Sequence, residues 1–426
     1  MNTLKIQFTI ALVFLVGAFG NISSANASDA SKVLVNYANI AHAMYEDSLI
    51  TAESLKSAVN ALVAKPTKTN LIRARAAWIA AREPYQQTEG YRFGNAIVDD
   101  WEGKVNAWPL DEGLIDYVDS SYGKASDDNP YFTANIIANT SIKLSGKVID
   151  ASSITPAFLS GTLHEIDEVE SNVATGYHAI EFLLWGQDLN GTNPGAGNRP
   201  HTDFNQKNCT GGNCIRRAQY LTATTDLLIN DLRDIVAAWA PGGAARIEVT
   251  KNSRNGIATM IKGLGSLSYG ELAGERIKLG LMLHDPEEEH DCFADNTQNS
   301  HYFDQIGMIA IYQGNYARID GSLVHGESLK SLISSRSPDV ANKIERAMSA
   351  TLSRMQIMKD LADSRIMSYD QMIGEGNVVG NGIIQDVVDG LVSQAKALQT
   401  AMAPLGISGV EFEGSDSLDD PSKVDK

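Results

Sequence analysis

The chain has 426 residues and a formal net charge of −17 at pH 7, from 35 basic and 52 acidic residues. This balance argues against nucleic-acid binding, because phosphate groups require a basic surface. It is compatible with a cation-binding protein, although a solvated acidic surface explains it equally well. Three cysteines are too few for a disulfide scaffold, and the length allows two or more hydrophobic cores.

The first 27 residues read as a secretory signal peptide. Lys5 supplies a positive charge, an apolar segment runs from Phe8 to Phe19, and Ala25-Asn26-Ala27 matches an A-x-A cleavage site. The apolar segment is too short to span a bilayer, and no later segment is apolar enough to do so. We therefore predict export to the periplasm, with secretion or association with the outer membrane as alternatives.

The remaining chain has the periodicity of helices. Apolar side chains repeat at helical spacing in several segments, namely 30–64, 68–83, 221–239, 344–362 and 384–402. No segment combines strand-like alternation with turn residues at the usual spacing. The pattern predicts an all-α fold.

Two segments about 200 residues apart resemble each other. Residues 81–89 read Ala-Arg-Glu-Pro-Tyr-Gln-Gln-Thr-Glu, and residues 283–290 read Leu-His-Asp-Pro-Glu-Glu-Glu-His. Each ends a helical run and precedes an acidic loop and an apolar helix. The similarity indicates an internal duplication that produced two four-helix bundles, with the boundary in the loop around residues 190–212.

This organisation divides the chain into four parts. Residues 1–27 are the signal peptide, 28–195 the N-terminal helical bundle and 196–405 the C-terminal helical bundle. Residues 406–426 are acidic and short of apolar residues, so we expect a disordered tail.

The cysteines form a pair and a single residue. Cys209 and Cys214 close a short, Gly-rich loop, and export favours a disulfide between them. Cys292 is then expected to be a free, buried thiol, with a thiolate metal ligand as the alternative.

One motif carries most of the functional signal. Residues 176–186 read Gly-Tyr-His-Ala-Ile-Glu-Phe-Leu-Leu-Trp-Gly. His178 and Glu181 would share one face of a helix, where an imidazole nitrogen and a carboxylate oxygen can bind one metal ion. A carboxylate buried in this apolar run is costly unless it is paired or binds a metal. A structural His–Glu contact is the alternative, because the spacing is short and common.

Four motifs in this order resemble the imelysin family, and they are Ala81–Tyr85, Trp108–Glu112, Gly176–Glu181 and Glu288–Thr297. Within the family, the chain is most similar to the iron-regulated, imelysin-like proteins of bacterial envelopes. The resemblance implies an all-α fold of two four-helix-bundle domains, a role in iron acquisition and a historical label as a metallopeptidase.

The resemblance also implies further ligands. In the related domain of periplasmic ferrous-iron uptake proteins, a Tyr-x-x-x-Glu and a Leu-Asp element accompany the His–Glu motif. The acidic residues of these two elements correspond to Glu89 and Asp111 here. The implied metal ligands are therefore His178, Glu181, Glu89 and Asp111. The first acid of the upstream motif falls on Gln86, which departs from the family pattern. Such an oxygen-rich site favours iron, with zinc as the second choice; capping or surface charge is the alternative for the two added carboxylates.

Two weaker signals lie in the C-terminal half. Residues 285–291 form an acidic run, with His284 directly before it and His290 near its end. A solvated helix end is the simpler interpretation of this run, and a cation site is the alternative. Residues 295–297 resemble a helix N-cap or a turn, and their match to the family motif suggests a pocket role. Because the motifs come from both halves, we expect the pocket where the two bundles meet.

The sequence motif supplies too few zinc ligands to support the label of metallopeptidase. Zincins need His-Glu-x-x-His and the inverted form needs His beside the Glu, whereas residue 182 is Phe. His178 and Glu181 supply two ligands, and catalytic zinc usually has three. We therefore predict a non-enzymatic exported protein that binds a metal ion or an iron chelate and serves bacterial iron acquisition with other envelope iron-uptake components. An envelope metallopeptidase that uses the His-x-x-Glu site is the alternative.

Overall fold

The computed structural model describes residues 20–126, 129–144 and 147–424. Within these ranges the fold is all-α, as predicted. In chain order the α-helices are α1 (Gly20–Ala64), α2 (Lys68–Gln86), α3 (Ala96–Asn106), α4 (Glu112–Ile115), α5 (Pro156–Phe158), α6 (Gly176–Trp185), α7 (Cys214–Trp239), α8 (Ala244–Thr250), α9 (Ser253–Ser266), α10 (Leu279–Leu283), α11 (Thr297–Gln313), α12 (Leu329–Ser334), α13 (Pro338–Asp363), α14 (Tyr369–Ile373), α15 (Val378–Gln399), α16 (Met402–Leu405) and α17 (Asp416–Asp419).

Other helical forms connect these elements. Two segments are π-helical, Leu159–Leu163 and Leu267–Lys278, and the second joins α9 to α10 in one continuous rod. Such segments are uncommon and often lie near functional sites. Short 3₁₀ turns occur at Glu89–Tyr91, Ser120–Tyr122, Ile166–Glu168, His201–Phe204, Pro286–Glu288 and Pro421–Lys423.

The predicted helical repeats coincide with the long helices and bury their apolar faces. Leu221, Leu228 and Leu232 of α7 are fully buried, and the helix ends at Trp239, before Pro241. The helix after Pro66 begins where the side chain of Thr67 accepts a hydrogen bond from the Asn70 amide, which is a standard N-cap.

Two short antiparallel hairpins were not expected from the sequence pattern. Their strands are β1 (Ser141–Leu144) with β2 (Lys147–Asp150), and β3 (Asn315–Ala317) with β4 (Leu323–His325). In β1–β2, Ser141 pairs with Asp150, and in β3–β4, Tyr316 pairs with Val324. Strands of three or four residues are too short to produce a recognisable alternation. Tyr316 holds β3 against α1, because its hydroxyl donates to Asp47 at 2.9 Å.

The long helices pack in two groups of four. In the first, α2 and α7 pack on α1, and α6 packs on α2 and α7. In the second, α13 contacts α11 and α15, and α15 packs on the rod that contains α9 and α10. The groups meet where α2 contacts α11 and α1 contacts α9. Because α7 packs on α1, the contacts do not follow a boundary at residue 195. The domains 28–195 and 196–405, and the duplication, stay predictions.

The acidic tail differs from our expectation of disorder. Among its described residues, which end at 424, α17 packs against the π-helical segment. The hydroxyl of Ser417 donates to the carbonyl of Gly274 at 3.0 Å, and Phe412 and Leu418 pack against the core. A few apolar side chains and buried serines are therefore enough to hold this segment, although its overall composition is acidic.

Cys209 and Cys214 form a disulfide and Cys292 is free, as predicted, although Cys292 is only half-buried. No described helix combines the length and apolar character needed to cross a membrane. The apolar part of the predicted signal peptide, Phe8–Phe19, lies outside the described residues.

Candidate functional site

The motif helix α6 begins at a glycine that permits a close approach. Gly176 has a φ of +77°, and a Cβ there would lie 2.4 Å from the carbonyl oxygen of Val105. Only glycine fits this conformation and spacing. As a result, the first turn of α6, which carries His178, lies against the end of α3, which carries Asn106.

His178 and Glu181 contact each other inside the protein. Nδ1 of His178 lies 3.0 Å from Oε2 of Glu181, and both side chains are buried. The amide of Ala294 donates to Oε1 of Glu181 at 2.9 Å. Burial and the charge of Asp291 raise the pKa of Glu181 well above its usual range. Nε2 of His178 has no hydrogen-bond partner among the described residues.

The loop before α11 brings a second histidine and a carboxylate to His178. One ligand atom from each of His178, His290 and Asp291 lies within 4.8 Å of the others, and all three side chains are buried. The two imidazole centroids are 4.8 Å apart. Nε2 of His290 lies 3.4 Å from the side-chain nitrogen of Asn106, whereas its Nδ1 has no partner in the described part of the chain.

Both imidazoles are in the neutral form that binds metals. Burial and the charge of Arg82 lower the pKa of His178 to about 3. Burial and the charge of Arg276 lower the pKa of His290 well below its usual value. Each ring therefore keeps a lone pair at physiological pH.

Asp291 is held as a charged carboxylate. Arg82 donates to its Oδ1 at 2.8 Å, Asn296 donates to Oδ2 at 2.7 Å, and the hydroxyl of Ser300 also donates to Oδ2. Burial alone would raise the pKa of Asp291, but Arg82, His178 and these hydrogen bonds lower it. A carboxylate has about four lone-pair positions, so one remains for another ligand.

Arg82 is fixed on the opposite side by aromatic rings. Its guanidinium carbon lies 5.1 Å from the ring centroid of Tyr177 and 5.5 Å from those of Trp78 and Tyr85. Nη1 of Arg82 donates to Asn106 at 2.6 Å. The motif around Arg82 and Tyr85 therefore supports the carboxylate and the amide that contact the two histidines.

Glu89 and Asp111, the two carboxylates that the family resemblance implies as ligands, are not part of the group formed by His178, His290 and Asp291. Glu89 accepts a hydrogen bond from Nη2 of Arg276 at 2.6 Å, and both side chains are buried. Asp111 accepts hydrogen bonds from Asn129 and, at 2.8 Å, from Ser171. Neither carboxylate joins His178 in a group of three possible metal ligands within the described ranges.

Asp111 does line a cavity that reaches His178. This cavity has a volume of about 370 Å³, and its wall includes four acidic residues, Asp111, Glu112, Glu287 and Glu288. Cys292 also lines it. Burial, with the surrounding negative charges, raises the pKa of Cys292 well above its usual value. Cys292 is therefore a thiol in the metal-free protein, and it does not join His178, His290 and Asp291 in the group of possible metal ligands found among the described residues.

Sequence reasoning did not select His290 and Asp291. The composition of the run 285–291 favours a solvated helix end, with a cation site as the alternative. Only the first part of the run forms a surface turn, Pro286–Glu288, while residues 289–291 are buried. The available signal was the family motif Glu288–Thr297, which contains both residues.

Comparison with known proteins gives one family over most of the chain. The family model described as imelysin, Peptidase_M75, matches residues 41–398. Iron-regulated protein A of Synechococcus elongatus is 39% identical over 64 residues, which cover 15% of this chain and 18% of that relative.

Two solved structures have a similar fold. One is described as an iron-regulated protein A precursor from Parabacteroides distasonis, with a TM-score of 0.64 at 16% identity, covering 89% of this chain and 95% of that one. The other is an imelysin-like protein from Psychrobacter arcticum, with a TM-score of 0.56 at 14% identity, covering 91% of this chain and 98% of that one. At these identities the likeness concerns the fold.

Proposed function

We propose a metal-binding function for this chain, which belongs to the imelysin family. In this proposal Nε2 of His178, Nδ1 of His290 and one oxygen of Asp291 bind a single ion. The observation that carries it is that both imidazole nitrogens are buried without a hydrogen-bond partner in the described structure, next to a charged carboxylate. Buried polar atoms are normally paired, and a cation beside Asp291 would pair both nitrogens.

The donor set favours iron. Two imidazoles and one carboxylate with open positions form the ligand set of non-haem ferrous sites. Zinc is the second choice, because it accepts the same ligand types. Glu181 then has a supporting role, since a ligating histidine usually donates its other ring N–H to a carboxylate.

The acidic cavity gives the ion a route to these ligands. Clefts lined by one sign of charge concentrate the opposite ion, and Asp111, Glu112, Glu287 and Glu288 line the cavity that reaches His178. Burial and the neighbouring carboxylates raise the pKa of Glu287 to about 8, so this side chain is mostly neutral at pH 7 until a cation binds nearby. Asp111, implied as a ligand by the family resemblance, would therefore attract the ion rather than hold it. A volume of about 370 Å³ also leaves room for a small iron chelate.

We further propose that the protein acts in iron acquisition in the periplasm. The relatives named iron-regulated protein A support a link to iron, and the predicted signal peptide supports export. The protein would bind iron or an iron chelate without chemical conversion and pass it to other envelope iron-uptake components.

An envelope metallopeptidase remains the second candidate, because of one observation. His178, His290 and Asp291 together supply three protein ligands, the number found in catalytic zinc sites. However, all three side chains are buried, and the nearby Glu181 is already bonded to His178 and Ala294. A general base must reach the metal-bound water, and Glu181 is not free to do so.

Metal titration separates these possibilities. Calorimetry with ferrous iron and with zinc should show one ion per wild-type chain. His178→Ala and His290→Ala should each weaken binding by at least about tenfold, while His325→Ala, which removes an exposed histidine, should have no effect. Unchanged affinity in His290→Ala would contradict the proposed site. Chelator-sensitive cleavage of an unfolded substrate that disappears in His290→Ala would instead establish the peptidase.

A further inference from the structure

A second cavity lies beside the metal cavity and contains a buried arginine. It has a volume of about 320 Å³, and its wall includes Tyr117, Trp185, Gly186, Asn198 and Arg199. It shares Gln187 and Leu189 with the wall of the metal cavity. Arg199 itself is only 3% exposed, so its N–H groups need partners from the protein or from a ligand.

Among the described residues, one end of the Arg199 guanidinium has hydrogen-bond partners and the other has none. Nη1 donates to Asp116 at 2.7 Å and to Asp203 at 3.2 Å. Nε and Nη2 are buried and have no hydrogen-bond partner among the described residues. These two nitrogens carry the parallel N–H bonds that bind a carboxylate in bidentate fashion.

The surroundings keep this N–H pair free. The guanidinium carbon lies over the rings of Tyr117 and Phe182, at 4.9 and 5.3 Å, and such contacts use the face of the group rather than its N–H edge. Gly186 has a φ of +72°, and a Cβ there would lie 3.6 Å from Nε of Arg199. The positive φ favours glycine here, and its backbone packs beside Arg199 on a wall of the same cavity.

The buried charges around Arg199 are balanced. Asp116 is shared by Arg199 and Arg217, and Asp203 is the other buried carboxylate in the group. Arg75 is half-buried and donates to the backbone carbonyls of Leu184 and Arg199. Asp119 on the cavity wall is exposed, and solvent screens its charge.

We propose that this cavity binds the carboxylate of a small organic acid, with Nε and Nη2 of Arg199 each donating to one carboxylate oxygen. The rings of Tyr117 and Trp185 on the cavity wall suit an acid with a flat apolar part. This site does not depend on the proposed metal site, and either one can exist without the other.

Benzoate and its neutral analogue benzamide are the probes for this site. Calorimetry on the full chain should show benzoate binding to wild type at millimolar concentration and benzamide binding at least about tenfold more weakly, because charge-assisted bonds are stronger. Arg199→Lys keeps the charge but lacks the paired N–H groups, so it should weaken benzoate binding by at least about tenfold.

A second variant protects the test against misfolding of Arg199→Lys. Asn198 is exposed, so Asn198→Asp adds a negative charge to the cavity wall without altering the core. It should weaken benzoate binding by about threefold or more, whereas the neutral control Asn198→Ala should not. An acetylated dipeptide with a free C-terminal carboxylate tests a chain terminus as the source, and tighter binding than benzoate would support the same carboxylate site.

Three results would overturn the proposal. They are the absence of benzoate binding to wild type, equal binding of benzoate and benzamide, and unchanged benzoate affinity in a folded Arg199→Lys variant. Equal weakening by Asn198→Asp and Asn198→Ala would also overturn it, because the effect would then not depend on charge.

Discussion

Oε2 of Glu181 lies 3.0 Å from Nδ1 of His178 while its Oε1 accepts a hydrogen bond from the amide of Ala294. One carboxylate therefore links helix α6 to the loop that carries His290 and Asp291. The contact pairs Nδ1 of His178 with the carboxyl group of Glu181, and Nε2 is the ring nitrogen that has no hydrogen-bond partner among the described residues. The spacing of the motif thus serves to aim a histidine and to position the loop that supplies the other two candidate ligands.

Replacing Glu181 with glutamine should weaken metal binding without abolishing it. The contacts to His178 and Ala294 use different oxygens of Glu181, and in glutamine one of these oxygens is replaced by an NH₂ group. We expect affinity for ferrous iron to fall by about 10- to 100-fold, measured by calorimetry. Glu248→Gln is the matched control, because Glu248 is exposed and contacts only Lys251 among the salt bridges of the described residues. If Glu181→Gln binds as tightly as wild type, the carboxylate does not orient the ligand.

Asp111→Asn should change metal affinity much less than His290→Ala does. Asp111 lines the cavity and is hydrogen-bonded to Ser171 and Asn129, so its charge acts at a distance. We expect slower association and a smaller effect of salt on the association rate, because steering by exposed charges is screened by salt. Stopped-flow measurements at low and high ionic strength would test this. A loss of affinity as large as that of His290→Ala would make Asp111 a ligand.

Glu89→Gln should destabilise the fold while leaving the metal site intact. Glu89 and Arg276 form a buried ion pair at 2.6 Å, and removal of one partner of such a pair typically costs about 3 to 5 kcal/mol. Glutamine retains one acceptor and Arg276 still pairs with Glu271 at 2.8 Å, so we expect a loss below about 3 kcal/mol in the free energy of unfolding, measured with urea. Full stability combined with lost metal binding would instead support Glu89 as a ligand.

The helices could be predicted from the sequence, whereas the proposed ligands His290 and Asp291 could not. The stripe from Leu221 to Trp239 has the helical period, and α7 follows it because burial of that stripe decides the local structure. His290 and Asp291 have no such pattern around them. They lie in an acidic loop whose composition is that of a solvated helix end, and only tertiary contacts with Arg82 and Asn106 bury them.

The packing of α7 and the order of the tail were not predicted for the same reason, because both depend on tertiary contacts. Periodicity shows which face of α7 is buried but not which helix covers it, so the contact with α1 was not predicted. In the tail, the acidic composition gave no indication that Ser415 and Ser417 are buried. The disulfide was predictable because Cys209 and Cys214 are close in sequence, so their pairing does not depend on the fold.

Asp116→Asn should make the free energy of unfolding depend less on pH in the acidic range. Burial alone would raise the pKa of Asp116, but Arg199 and Arg217 outweigh it and lower the pKa. A lowered pKa adds stability above the unfolded-state pKa of about 3.9, and this contribution is lost as pH falls through the folded-state pKa. Urea unfolding at several pH values should show wild type more stable by about 3 kcal/mol near neutrality, with the difference shrinking below about pH 4. A pH-independent difference would contradict this origin.

Anomalous diffraction at the iron edge, from crystals grown with ferrous iron under anaerobic conditions, tests the proposed metal site most directly. We expect one peak within about 2.0 to 2.3 Å of Nε2 of His178, Nδ1 of His290 and a carboxylate oxygen of Asp291. A peak only at the acidic wall formed by Asp111, Glu112, Glu287 and Glu288, or no peak at all, would contradict it.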